Sequence, residues 1–62
     1  MVTPTYAGHE VAAIELRAYA RGLATALRML RATNPGSAAV AVLSDAVIAA
    51  EGRAEAAEAA AR

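Results

Sequence analysis

The stretch Asn34-Pro35-Gly36-Ser37 works as a fold line, because the apolar positions before it and after it mirror each other. Leu30 answers Val40, Leu27 answers Leu43, Leu23 answers Val47, Ala20 answers Ala50, Leu16 answers Ala54, Ala13 answers Ala57 and His9 answers Ala61. In every pair the two residue numbers add to 70. A constant sum is the register of two antiparallel segments. On each segment these positions recur every three or four residues, the one-face period of an α-helix. The expected fold is therefore all-α: an antiparallel two-helix hairpin with a first helix over residues 4–33, a turn at 34–36 and a second helix over 37–60.

Local signals agree with that division. Thr3 as cap and Pro4 at the first helical position make a helix start, although Gly8 weakens the first turn. The residue before Pro35 is disfavoured in the helical conformation, which stops the first helix by Thr33. Ser37 or Asn34 can cap the second helix. The flanking charges also pair by sign: Glu10 comes level with Arg62, Arg17 with Glu55 and Arg21 with Glu51 on one side, and Glu15 with Arg53 on the other. Exposed pairs add little stability, so their value is as evidence of register. The seam thins from leucine beside the turn to alanine at the open end, which continues into an alanine-rich tail of high helix propensity.

With 62 residues the chain forms one domain at most, and two helices joined by a short turn rarely bury enough apolar surface to stand alone, so a partner surface is expected. Formal net charge is zero, so no general attraction to nucleic acid or an acidic membrane is expected. The absence of cysteine removes disulfides, thiolate metal sites and thiol nucleophiles. No apolar run reaches the length of a membrane span, and the amino terminus shows no basic region followed by an apolar core, which makes the cytoplasm the default compartment. There is no phosphate-binding glycine loop, nucleophile elbow or paired histidine ligand. His9 stands alone, with only Glu10 near it, and reads as a half-exposed helix residue in the last seam layer. No catalytic activity, cofactor or metal is expected.

What remains is surface. Going round the first helix from the Leu16 face, a second apolar arc runs through Tyr19, Ala26, Gly22, Met29, Val11, Ala18 and Ile14, and one partner helix cannot cover both arcs. Val42, Ala46 and Ala49 continue it on the second helix, level with Ala26, Gly22 and Tyr19. Ala18, Gly22 and Ala26 form a line of small residues at four-residue spacing that permits close helix approach. The expected activity is non-enzymatic protein interaction or assembly, as a small adaptor, scaffold or inhibitor. In its simplest form it is a homodimeric four-helix bundle through Tyr19, Gly22, Ala26, Met29, Val42, Ala46 and Ala49, or the same surface on another protein. The alternative is a nucleic-acid-binding helical dimer using the stripe Arg17, Arg21, Arg28 and Arg31. Arg28 and Arg31 are its candidate phosphate contacts, since neither has an acid level with it apart from a reach to Asp45.

Overall fold

The structure is a computed structural model that describes residues 8–62. It holds two helices packed against each other, α1 at Gly8–Thr33 and α2 at Ala39–Ala60, in an all-α hairpin. The expected cap at Thr3 and helix start at Pro4 lie outside the described residues.

The turn shows how the sequence ends one helix and begins the next. Asn34 N–H still donates to the Leu30 carbonyl at 2.7 Å, and the Thr33 hydroxyl donates to the Met29 carbonyl at 2.9 Å. Pro35, with no N–H, cannot continue the ladder. Of the two candidate caps, Ser37 takes the role. Its hydroxyl accepts from Ala39 N–H at 3.2 Å, its carbonyl accepts from Val40 N–H at 3.0 Å, and Ala38 already has helical angles, φ −60° and ψ −25°. No described residue takes a positive φ, so the turn closes without a left-handed glycine. At the far end, Ala61 N–H is shared between the Ala57 and Glu58 carbonyls at 3.1 and 3.2 Å, closing the last turn of α2.

The core is the seam between the helices. Ala13, Ala20, Leu27, Ala50 and Ala54 are buried, while Leu16, Leu23, Leu30, Val40, Leu43, Val47 and Ala57 are half-buried. Of the fourteen positions in the mirror scheme, His9 is the exception: it is exposed. The reason is geometric, because His9 lies one residue inside α1 and the residue across from it, Ala61, is past the end of α2. Nothing remains at that level to cover an imidazole. The molecule measures 51 × 24 × 12 Å, which makes it a slab one helix thick, about the diameter of a helix with its side chains.

Two expectations follow from the graded seam. Ala50 and Ala54 are fully enclosed although each side chain is a single methyl, so no room is left there for a larger one. Ala54→Leu should force them apart and lower stability by about 1 to 3 kcal/mol, whereas Ala56→Leu, on the exposed side, should be nearly silent in denaturant titrations. A half-buried leucine still removes more apolar area from water than a buried alanine. Hydrogen exchange should therefore find the slowest amides in residues 23–30 and 40–47, and equal protection around Ala13 and Ala57 would contradict this ordering.

Candidate interaction faces

A hairpin one helix thick has two broad faces, and its cross-helix polar contacts identify one of them. Arg17 donates to Glu58 through both Nε (3.0 Å, to Oε2) and Nη2 (2.6 Å, to Oε1), and Arg31 Nη2 donates to the Ser44 hydroxyl at 3.1 Å. In both contacts the residue numbers add to 75, against 70 along the seam. The offset has a physical cause. Side chains on a helix lean toward its N-terminus, so on antiparallel helices two long side chains lean toward each other only when their Cα atoms are displaced past level. The expected pairing of Arg17 with Glu55 is thereby replaced by Arg17 with Glu58. The other three expected pairs, Glu10 with Arg62, Arg21 with Glu51 and Glu15 with Arg53, do not close. Among the described residues Arg17–Glu58 is the ion pair within 4.0 Å.

The two bonds from Arg17 hold the Glu58 carboxyl below the usual glutamate range, with the charges of Arg17, Arg62 and Arg21 acting the same way and partial desolvation opposing them. The same bonds raise the Arg17 guanidinium further. For a carboxyl depressed in the folded state, the contribution to stability is complete above the ordinary glutamate pKa. It is lost as pH falls from there through the lowered value. NMR titration should find Glu58 ionising at a lower pH than an unperturbed glutamate, and Arg17→Ala should return it to the ordinary range.

The rest of this polar face is basic toward the turn. Arg28 Nη2 approaches the Thr25 hydroxyl at 3.4 Å, and that hydroxyl donates to the Arg21 carbonyl at 2.9 Å. Arg31 reaches Ser44 rather than Asp45. Arg28 and Arg31 border a shallow open groove floored by Ala24 and Leu27. A second open groove, lined by Ala13, Ile14, Arg17, Ala18, Arg21 and Glu58, lies beside the ion pair.

The helical period puts most of the surplus apolar residues on the opposite face, whereas Ile14 and Ala18, at the end of the arc, border the groove beside the ion pair. Tyr19 is 55% exposed, Met29 65% and Val42 68%; Gly22, Ala26 and Ala49 are exposed, and Ala46 is half-buried at the seam's edge. A methyl group placed on Gly22 would meet nothing within 4 Å. The line Ala18, Gly22, Ala26 thus serves no close approach inside the hairpin and is left open on its surface. Gly22→Ala should raise the stability of the isolated hairpin by about 1 kcal/mol, the helix-propensity difference, read from thermal melts at low protein concentration.

Ile48, 69% exposed, was not singled out by the mirror scheme, which follows the seam and the apolar arc only. Its signal lies on the other flank, where Ser44, Ile48, Glu51, Glu55 and Glu58 succeed one another at alternating spacings of four and three. Among the described residues, no three His, Cys, Asp or Glu side chains gather as a metal site would require, and no helix is long and apolar enough to cross a membrane.

No family model matches the chain. Neither curated proteins nor solved structures give a significant match. The two faces must be interpreted from their own chemistry.

Proposed function

We propose that this protein is a non-enzymatic interaction or assembly module, in the cytoplasm, that works through its apolar face and dimerises into a four-helix bundle. The observation that carries the reading is the exposure of Tyr19, Met29 and Val42 on one side of a slab whose own core is one seam of mainly small side chains. Such a hairpin has more apolar surface than interior, and a second layer of helices supplies the missing interior. Gly22 and Ala26 let the layers approach closely, while Tyr19 and Met29 provide the bulk that fills the space between them. A second copy is the simplest partner, since a two-fold axis makes the same patch serve both sides. A different protein, for which this chain is adaptor, scaffold or inhibitor, is served by the same surface.

Nucleic-acid binding is the second reading, favoured by Arg28 and Arg31, which have no carboxylate within 4.0 Å among the described residues. It ranks lower for a geometric reason. In a dimer built on the apolar faces the two arginine stripes lie on opposite outer surfaces, where one straight duplex meets only one of them.

Sedimentation velocity at micromolar protein should give a dimer that Ala46→Arg converts to a folded monomer. Val42→Glu, further from the seam, should do the same, and circular dichroism checks that each variant remains helical. A folded wild-type monomer that also captures no protein partner would refute the reading. On the nucleic-acid reading, the wild type binds generic duplex at low salt with a steep loss as salt rises, and Arg28→Ala with Arg31→Ala reduces that slope by about two.

A further inference from the structure

The polar face carries a charge pattern that the apolar-face reading does not use. On α2 the stripe Ser44, Ile48, Glu51, Glu55, Glu58 runs along one side of the helix. Glu58 is closed by Arg17 and Ser44 by Arg31, while among the described residues Glu51 and Glu55 have no cation within 4.0 Å. On α1, Arg21, Arg28 and Arg31 likewise have no carboxylate within that distance among the described residues; Arg21 stands level with Ala49, and Arg28 with Arg31 forms the cluster nearer the turn. The two unneutralised clusters lie at opposite ends of the same face. In the seam register Ile48 is level with Gly22, Arg28 and Arg31 lie six and nine residues toward the turn, and Glu51 and Glu55 three and seven toward the open end. At 1.5 Å per residue these are axial displacements of roughly 9 to 14 Å one way and roughly 5 to 11 Å the other. Ile48, the most exposed large apolar side chain among the described residues, stands between them.

We propose that this face takes a second copy of the chain, turned end for end about a two-fold axis near Ile48. Arg28 and Arg31 of each copy then meet Glu51 and Glu55 of the other, and the two Ile48 side chains cover one another. Because the basic cluster is on α1 and the acidic one on α2, the two hairpins cross obliquely rather than lying parallel. The complementarity is supplied entirely by the chain's own charges, and one rotation satisfies both clusters at once, as a closed two-fold contact requires. This contact lies on the opposite face from the one proposed for the bundle and does not depend on it. Together the two faces would stack hairpins into an open array, each contact of a different kind.

The contact is ionic and exposed, so it is weak and salt-sensitive. Sedimentation velocity and light scattering of the wild type should show growth past the apolar-face species at about 50 mM NaCl, with the association constant falling about tenfold or more by about 500 mM. Ile48→Ser should reduce this growth. The double variants Arg28→Glu/Arg31→Glu and Glu51→Arg/Glu55→Arg should each lose it, and an equimolar mixture of the two should regain it, because at each of the two contacts an acidic cluster of one variant then meets a basic cluster of the other. In the Ala46→Arg background, where the apolar contact is removed, a salt-sensitive dimer should persist. Its presence separates the two contacts, since loss of the salt-resistant species there bears on the apolar face alone. A wild type with no salt-sensitive growth, or charge-swapped variants that do not complement, would overturn the proposal. So would salt-sensitive capture of duplex DNA without self-association, which assigns the face to nucleic acid.

Discussion

The close apposition of two antiparallel helices along a seam of small side chains governs everything else in this molecule. Ala20, Ala50 and Ala54 are enclosed almost completely, each by its own helix and the one packed across the seam. That nearness limits the interior to a single row. It leaves Tyr19, Met29 and several branched side chains of a 58% hydrophobic chain without an inside to occupy. The surplus apolar surface is thus a direct result of how the core is built.

The turn complements the seam. Pro35 ends one ladder by lacking a donor, and Ser37 opens the next by accepting from Ala39 N–H. Neither device depends on tertiary contacts, which is why the fold line is visible in the residues alone. The leucines next to it bury the most area per layer. Local and long-range preferences therefore agree at the turn, and they thin together toward the open end.

Much of the hairpin was legible because a constant residue sum encodes antiparallel pairing directly, and thirteen of its fourteen positions face inward. His9 failed because the sum contains no information about where a helix stops. The flank charges depart from it for another reason: the residue sum places Cα atoms, whereas arginine and glutamate meet at tips displaced toward their own N-termini. Once that lean is allowed for, one rule accounts for both Arg17 with Glu58 and Arg31 with Ser44. Ile48 escaped attention because an isolated isoleucine among glutamates breaks no apolar pattern. The apolar face was readable as a leftover arc, but nothing in a single chain encodes what covers it.

Alanine presents the same small knob at Ala50, Ala54 and Ala57, so the open half of the seam is close to a featureless rail. Sliding one helix along it by a turn exchanges methyl for methyl. The axial position of the two helices is therefore held from outside that half, by the graded leucines near the turn and by the Arg17–Glu58 clamp. Because α2 is one continuous helix of fixed rise per residue, the interlocking leucines near the turn set the axial position of its alanine half as well, and the Arg17–Glu58 clamp ties down the end where the seam supplies no register of its own.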